Sequence, residues 1–239
     1  MSLFGSANDF THRELMDPMT VMHMGQQLRG ATLTDGVDLS KAVSLGTSIM
    51  AVEFDGGVVC GADSRTSTGS YIANRVSDKI TALDEQIYTM RSGSAADTQA
   101  VSDYVRYFLD THRNQTQKPS QVKTASKLVS MLLYENKSAL SGEMIVAGWD
   151  KQHGGQVYKC AMGGSLIRRP YSTGGSGSIF IAAHCEHTFK TGMTRQQAMD
   201  FVDLALRLAM ASDGSSGGSV RKVIIDASGV ERTYTGGVF

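Results

Sequence analysis

The chain has 239 residues, 41% hydrophobic and 19% charged, which is enough for one sizeable core and argues against a second large domain. Its formal net charge is zero, which argues against nucleic acid or an anionic membrane as the main partner. No apolar run is long enough to cross a bilayer. Three cysteines without metal-ligand spacing favour a reducing compartment over a disulfide framework.

The first 46 residues differ in composition from the rest of the chain. They hold five of the 13 methionines, show no sustained helix or strand period, and carry three basic against five acidic side chains. A secretory signal requires a basic start and an apolar stretch, and a transit peptide is rich in arginine, so neither description fits. We therefore predict a floppy tail or, because the segment ends at the Gly46-Thr47 pair, a propeptide over residues 1–46.

From Thr47 onward the pattern predicts paired strands and then two helices. The apolar run at residues 48–54 ends at an Asp-Gly turn signal, residues 57–63 return from it, and residues 86–91 form a further strand. Ser94 and Asp97 have capping-box spacing at the start of a helix. One face of that helix is apolar: Val101, Tyr104, Val105, Phe108 and Leu109. A second helix is predicted over about residues 120–140, with Val122, Ala125, Leu128, Val129 and Leu132 facing inward.

The rest of the chain returns to strands with one more helix. Residues 144–149 and 156–162 flank Gly154-Gly155 as a hairpin, and residues 166–172 form another strand. A third helix opens with capping-box spacing at Thr194 and runs through Ala211, before a last hairpin at residues 220–226 and 230–234. Hairpins and amphipathic helices in this order predict an α+β fold, with two stacked antiparallel sheets flanked by helices.

Three residues at intervals of 16 form the candidate catalytic group. Thr47 starts the first strand, Asp63 ends its partner and Lys79 lies just beyond, so adjacent strand ends can bring them together. Cutting the Gly46–Thr47 bond would give Thr47 an α-amine beside its hydroxyl, a nucleophile with its own base. The amine, with a pKa near ~7.7–8.0 against ~10.4 for lysine, is the better base at neutral pH.

In this interpretation Lys79 stabilises an alkoxide on Thr47, and Asp63 orients and balances the lysine. The alternative is that Asp63 and Lys79 form an ordinary ion pair. While the preceding segment stays attached, Thr47 has an amide nitrogen and cannot act as its own base.

Three other motifs point elsewhere. Residues 214–218 fit the G-x-S-x-G elbow of serine hydrolases, but a helix precedes and a strand follows, the reverse of what that motif requires. Residues 174–178 resemble a phosphate loop without its Gly-Lys-Ser/Thr ending. His184 and His187 could mimic a metal pair, but no third ligand cluster accompanies them, so we predict no metal site.

Five segments together resemble a catalytic β subunit of the eukaryotic 20S proteasome. They are Gly46-Thr47, GADSRTSTG at 61–69, DKI at 78–80, RSGSAAD at 91–97 and DGSSGG at 213–218. The likeness runs from Thr47 to about Arg232, and residues 63–79 and 91–100 most resemble the caspase-like, β1-type subunit. It implies the N-terminal-nucleophile hydrolase fold, a four-layer αββα sandwich over residues 47–239, and autocatalytic removal of the leader.

The resemblance also implies roles for individual residues. Thr47 is the nucleophile, Asp63 and Lys79 complete its triad, and Ser176, Asp213 and Ser216 support the terminal amine and its proton traffic. The backbone N–H of Gly93 resembles an oxyanion donor. Backbone groups of Ser67 and Ala95 would pair with an extended substrate. The resemblance places Arg91 at the floor of the pocket for the residue before the cut bond, where a guanidinium suits an acidic side chain. The alternative is a surface arginine at a strand end, which the spacing alone does not exclude.

This sequence departs from the family pattern at a few positions. Ser48 and Ser67 stand where threonine is common, and one extra residue lies between Lys79 and Ser176. The implied partners are other β subunits in a heteroheptameric ring, an α ring and an opposing β ring. The implied substrates are unfolded polypeptides, the implied location is the cytoplasm and nucleus, and no cofactor is implied. The alternative is a non-catalytic ring subunit, against which the retained Thr47, Asp63 and Lys79 argue.

Overall fold

Two five-stranded antiparallel sheets form the middle layers of the computed structural model, which describes residues 46–68 and 71–238. Sheet I has the strand order β10-β1-β2-β11-β12 and sheet II the order β5-β6-β7-β8-β9, while β3 and β4 pair separately. The first strands are β1 (Ile49–Phe54), β2 (Gly57–Ala62), β3 (Thr66–Thr68), β4 (Tyr71–Asn74), β5 (Ile80–Asp84) and β6 (Ile87–Gly93). They are followed by β7 (Gly142–Asp150), β8 (Gly154–Cys160), β9 (Leu166–Arg168), β10 (Tyr171–Gly174), β11 (Gly218–Asp226) and β12 (Gly229–Val238).

The described helices form the outer layers. They are α1 (Ala95–Thr116), α2 (Val122–Glu135), α3 (Ser178–Thr188) and α4 (Arg195–Ser212). Helices α1 and α2 pack on sheet II, and α4 packs on sheet I with α3 beside it. The predicted α+β fold, a four-layer αββα sandwich, is therefore confirmed. None of the helices in the described part of the chain is long and apolar enough to cross a membrane. The segment predicted as a propeptide lies, apart from Gly46, outside the described residues.

Strands β1 and β2 lie at the centre of the molecule and are buried on both faces. Met50 and Val59 face α4, while Ile49, Val58 and Cys60 face sheet II. Burial on both faces explains why these strands read as continuous apolar runs instead of alternating polar and apolar residues. Thr47 and Asp63, at the ends of this pair, are therefore held by the most enclosed part of the fold.

Several predicted boundaries were wrong. Helix α2 ends at Glu135 instead of continuing to about residue 140, and Phe108, predicted to face inward, has 41% of its surface exposed. The turn between β7 and β8 lies at residues 151–153, because Gly154-Gly155 already belong to β8. The single strand predicted at residues 166–172 is two strands in different sheets, separated at Pro170, which has no N–H for a ladder.

Four short elements were not predicted. Helix α3 was missed because its apolar residues surround the helix instead of forming one stripe: Ile181 and Cys185 are buried, while Ile179 and Phe180 are exposed. Strands β3, β4 and β5 have three to five residues, too few for a clear period. The predicted caps are confirmed: Ser94 accepts a hydrogen bond from the Asp97 amide, and Thr194 with Gln197 forms a capping box.

The close approach of α4 to sheet I depends on Gly61. A Cβ at this position would lie 2.3 Å from Cγ1 of Val202 and 2.8 Å from Cδ1 of Leu206. We expect Gly61→Ala to lower the free energy of unfolding by about 1–3 kcal/mol, because the enlarged side chain overpacks a dense core. Urea denaturation measures the change. Gly236→Ala is the control, since a Cβ there meets nothing within 4 Å; equal losses in the two variants would contradict this account of the packing.

Candidate active site

Thr47 lies immediately before β1 and is almost fully enclosed, with 4% of its surface exposed. Its hydroxyl donates to the carbonyl oxygen of Gly46 at 2.7 Å. This oxygen belongs to the peptide group whose C–N bond is predicted to be cut. Its backbone N–H donates to Oγ of Ser176 at 3.1 Å. The nitrogen that would become the terminal amine and the hydroxyl of the same residue are thus both held in place before any cut.

The ammonium of Lys79 connects the predicted catalytic residues. Its Nζ lies 2.6 Å from Oδ1 of Asp63 and 3.1 Å from both Oγ1 of Thr47 and the carbonyl oxygen of Gly46. Burial lowers the pKa of Lys79, and the negative charge of Asp63 opposes that shift. A cation in this position can polarise the Gly46 carbonyl and lower the cost of an alkoxide on Thr47.

Asp63 is completely buried and makes four contacts through its two carboxylate oxygens. Besides the ion pair with Lys79, it accepts hydrogen bonds from the backbone N–H groups of Ser48, Arg65 and Gly217 at 3.0–3.2 Å. Hydrogen bonds to the charged form offset the cost of burying a carboxylate. These amides fix Asp63 and therefore fix the direction in which Lys79 points.

A second cluster lies on the nitrogen side of Thr47, around the carboxylate of Asp213. Oδ2 of Asp213 accepts from Oγ of Ser176 at 2.7 Å and from Oγ of Ser216 at 2.6 Å, and Oδ1 accepts from the amide of Ser215 at 3.0 Å. Burial alone would raise the pKa of Asp213, but these hydrogen bonds outweigh it and hold the pKa below its usual range. The structure therefore brings together the three residues expected to support the amine.

Glycines around Thr47 leave no space for side chains. A Cβ on Gly46 would lie 2.0 Å from Cβ of Ser215, so the residue before the predicted cut must be glycine at this position. Gly175 has a φ of +81°, and a Cβ there would lie 2.1 Å from the carbonyl oxygen of Thr47. The glycine-rich segment at 174–178 is thus a close-fitting turn beside the candidate nucleophile.

Arg91 and Gly93 line a small cavity next to Thr47. The cavity has a volume of about 40 Å³, and its walls are Thr47, Thr66, Ser77, Lys79, Arg91, Gly93, Ala95 and Thr98. A much larger cavity of about 730 Å³ lies at residues 84–87, 113–121 and 149–152 and contains none of the predicted site residues. We therefore take the smaller cavity as the candidate site, because Thr47, the candidate nucleophile, lines it.

The guanidinium of Arg91 is only partly hydrogen bonded. Its two terminal nitrogens donate to the carbonyl oxygens of Ala95 and Asp78, each at 3.3 Å, while its buried Nε has no hydrogen-bond partner within the described residues. Burial lowers the pKa of Arg91, opposed by the charges of Asp78 and Asp103. A carboxylate entering the cavity would compensate this poorly solvated cation.

Ser67 and Ala95 are the residues predicted to pair with an extended substrate. Ser67 is buried and belongs to β3, which pairs only with β4 among the described strands. Its hydroxyl donates to the carbonyl oxygen of Ser215 at 3.1 Å. Ala95 is the first residue of α1, where an N–H has no partner within the helix. Pairing of either residue with substrate stays a prediction.

Sequence reasoning missed several residues of this site. Arg65 donates its Nη1 to the carbonyl oxygen of Gly214 and lies against Gly217, where a Cβ would be 2.4 Å from the guanidinium carbon. Ser48 donates its hydroxyl to Oγ of Ser216 at 2.8 Å, which extends the cluster on Asp213. The one signal in the sequence was that Ser48 and Arg65 lie close to Thr47 and Asp63. Their contacts could not be read from the sequence, because each lies more than 140 residues from its partner.

The competing motifs do not form sites. Ser216 follows helix α4 and precedes β11, so the reversed context of the elbow motif is confirmed. His184 and His187 both lie in α3. Within residues 46–68 and 71–238, no group of three or more His, Cys, Asp or Glu side chains is arranged to hold a metal ion.

The αββα sandwich that brings Thr47, Asp63 and Lys79 together beside β1, β2 and β5 is the fold of the proteasome family. A family model described as "Proteasome subunit" matches residues 43–225. The chain is 57% identical to proteasome subunit beta type-6 of Dictyostelium discoideum over 194 residues, 81% of this chain and 91% of the relative. The chain belongs to the proteasome β-subunit family.

Two further relatives carry different type numbers. Proteasome subunit beta type-1 of Saccharomyces cerevisiae is 50% identical over 190 residues, 80% of this chain and 88% of the relative. Proteasome subunit beta type-9 of Homo sapiens is 46% identical over 204 residues, 85% of this chain and 93% of the relative. Family membership implies assembly with other proteasome subunits in rings.

The lowered pKa of Asp213 predicts a pH-dependent contribution to stability. A carboxylate with a lowered pKa stabilises the fold above the usual aspartate range, near pH ~3.9, and loses that contribution as the pH falls through its folded value. We expect Asp213→Asn to cost about 1–3 kcal/mol of unfolding free energy at neutral pH, and less below about pH 4. Urea titrations from pH 7 to pH 3 measure the difference. Asp200→Asn, at an exposed helix position with one hydrogen bond from Gln196, is the control; a pH-independent loss at Asp213 would contradict the prediction.

Proposed function

We propose that this chain is a threonine-type endopeptidase subunit of a 20S proteasome core, made as a precursor and activated by cleavage at Gly46–Thr47. The observation that carries the proposal is the contact of one buried ammonium, that of Lys79, with the Thr47 hydroxyl, the Asp63 carboxylate and the Gly46 carbonyl. An ordinary ion pair would not require a hydroxyl and a glycine carbonyl at the same cation. Residues 1–46 are then the propeptide and residues 47–239 the mature hydrolase domain.

The proposed activation is an attack within the chain. Oγ1 of Thr47 adds to the carbonyl carbon of Gly46, and its proton passes in the course of the step to the Thr47 nitrogen, while Lys79 and the site's donors stabilise the charge on the carbonyl oxygen. The C–N bond then breaks with protonation of the Thr47 nitrogen, which leaves an ester between Gly46 and Thr47. Water hydrolyses the ester, releases the leader as a carboxylate and restores the hydroxyl beside a free α-amine.

In turnover the new amine takes the role of general base. It accepts the hydroxyl proton as Oγ1 of Thr47 attacks a substrate carbonyl, and it returns a proton to the leaving amine. Lys79 lowers the energy of the alkoxide, and the backbone N–H of Gly93 is the proposed donor to the oxyanion. Ser176, Ser216 and Asp213 hold the amine through the hydrogen bond that the Thr47 nitrogen already donates to Oγ of Ser176. Water then hydrolyses the acyl ester on Thr47.

The proposed preference for acidic residues rests on Arg91. Its buried Nε has no partner within the described residues, and Thr66, Ser77 and Lys79 line the same cavity. A carboxylate before the cut bond would meet the Arg91 cation, whereas an apolar side chain would bury that cation without compensation. Backbone groups of Ser67 and Ala95 would align the substrate as an added strand.

The proposed setting is a heteroheptameric β ring between an α ring and an opposing β ring, acting on unfolded polypeptides in the cytoplasm and nucleus. The three cysteines are all buried and unpaired, as suits a reducing compartment. The competing function, a ring subunit without catalytic activity, leaves the convergence of Thr47, Asp63 and Lys79 without a role.

Replacing the proposed nucleophile should stop both steps. We expect Thr47→Ala to keep the leader attached and to abolish cleavage after acidic residues, because neither a hydroxyl nor a free terminus is then available. Intact mass and peptide hydrolysis by assembled particles measure the two effects. Thr47→Ser is the control: it retains the hydroxyl and should still be processed, although its side chain is less restricted in χ1. Normal processing of Thr47→Ala would refute the assignment.

Replacing Arg91 should change specificity more than overall activity. For Arg91→Met we expect kcat/KM for peptides with an acidic residue before the cut to fall about 10- to 100-fold, the value of a charge-assisted hydrogen bond. Peptides with an apolar residue there should lose much less. Arg232→Met is the control, since Arg232 pairs with Asp78 at 2.8 Å but does not line the cavity. Equal losses on both peptides would remove Arg91 from the pocket.

A further inference from the structure

A partly buried ion pair connects the two sheets close to the candidate site. Glu143 on β7 and Lys159 on β8 belong to sheet II, with Nζ of Lys159 lying 3.2 Å from Oε2 of Glu143. Both side chains also reach across to sheet I. Lys159 donates to the carbonyl oxygen of Thr173 at 3.1 Å, and Oε1 of Glu143 accepts from the amide of Gly175 at 3.2 Å. The pair thus holds the end of β10 at two points.

The segment held by the pair leads directly into Ser176. Gly175 precedes Ser176, whose Oγ accepts from the Thr47 nitrogen at 3.1 Å and donates to Asp213 at 2.7 Å. The amide of Gly177 donates to the Thr47 carbonyl oxygen at 3.2 Å. A shift of Gly175 would therefore move the group that holds the proposed base of the reaction.

The fit leaves little freedom for such a shift. A Cβ on Gly174 would lie 2.4 Å from Oε1 of Glu143, and a Cβ on Gly175 would lie 2.1 Å from the Thr47 carbonyl oxygen. Glycines at both positions let β10 lie between the carboxylate and Thr47. The side chains of Glu143 and Lys159 are 23% and 30% exposed, and ion pairs in such positions contribute modestly to stability. Geometry is therefore the more important contribution of this pair.

We propose that Glu143 and Lys159 are positioning residues, which hold the turn at Gly175 so that Ser176 stays aligned on the Thr47 nitrogen. This inference rests on the proposed function, because the alignment matters for the amine that acts as general base. Glu143 acts through the Gly175 amide, and Lys159 acts by fixing the Glu143 carboxylate and the Thr173 carbonyl.

The chain contains a matched control for this arrangement. Oε1 of Glu53 on β1 accepts from the amide of Val157 on β8 at 3.2 Å and lies 3.8 Å from Nη2 of Arg168, with 25% of its side chain exposed. Glu53 therefore also joins the two sheets with one backbone hydrogen bond and one ion pair. It lies six residues along β1 from Thr47, roughly 20 Å for an extended strand.

The test compares Glu143→Leu, Glu143→Gln and Lys159→Met with Glu53→Leu and Glu53→Gln in assembled particles. Rates are divided by the number of chains that begin at Thr47, so that poor assembly or incomplete processing does not affect them. For Glu143→Leu we expect kcat to fall about 10-fold with KM within about 2-fold, as for a misaligned catalytic group. Glu143→Gln keeps an acceptor for Gly175 and should recover most of the rate. Lys159→Met should lose about 3-fold in kcat.

The outcomes separate this inference from the proposed function. Unchanged kcat in Glu143→Leu and Lys159→Met, or a loss no larger than in Glu53→Leu, overturns the positioning role while leaving the function intact. A Glu143→Gln variant as slow as Glu143→Leu also overturns it, because the acceptor for Gly175 is then irrelevant. Particles with unaltered Glu143 that show no cleavage dependent on Thr47 would instead overturn the proposed function.

Discussion

The ion pair between Lys79 and Asp63 is the interaction on which the candidate site depends. Two charges in the interior are costly unless both are fully hydrogen bonded. Asp63 meets this requirement with three backbone amides, from Ser48, Arg65 and Gly217, in addition to Lys79. Those amides come from the start of β1, the end of β2 and the segment before β11. The strand ends must therefore meet in one arrangement before the pair can be buried.

The three donors of Lys79 explain why the cluster is poised for chemistry. An ammonium has three N–H groups, and the three contacts here go to Asp63, the Thr47 hydroxyl and the Gly46 carbonyl oxygen. In the proposed activation the Gly46 carbonyl leaves with the leader, which frees one donor of Lys79 beside the Thr47 hydroxyl. In that proposal the same cation stabilises the Thr47 alkoxide in the precursor and in the mature subunit. Such fixed donors need no reorganisation during the reaction.

Much of the fold could be predicted from sequence because local signals were strong. The apolar runs of β1 and β2, the caps at Ser94 and Thr194 and the period of α1 each specify their element within a few residues. Helix α3 and strands β3 to β5 could not be predicted, because they are short or apolar all round, and tertiary contacts decide their conformation. Pro170 separates two strands of different sheets, which a linear apolar pattern does not reveal.

In the candidate site, too, local signals could be predicted from sequence and tertiary contacts could not. The convergence of Thr47 and Asp63 could be predicted, because β1 and β2 pair and bring their ends together. Lys79 precedes β5 in the other sheet, so the stacking of the two sheets brings it to them. The contacts of Ser48 with Ser216, of Arg65 with Gly214 and of Glu143 with Gly175 join residues between 32 and 168 positions apart. No period or motif encodes such pairs, since they arise from how the two sheets stack and how the loops after β10 and α4 fold over Thr47.

N-terminal sequencing of the chain recovered from assembled particles tests the central proposal most directly. If Gly46–Thr47 is the bond that activates the subunit, the mature chain begins at Thr47, with its α-amine free. Fully assembled particles in which the chain still carries residues before Thr47 would contradict the proposal and favour a ring subunit without catalytic activity.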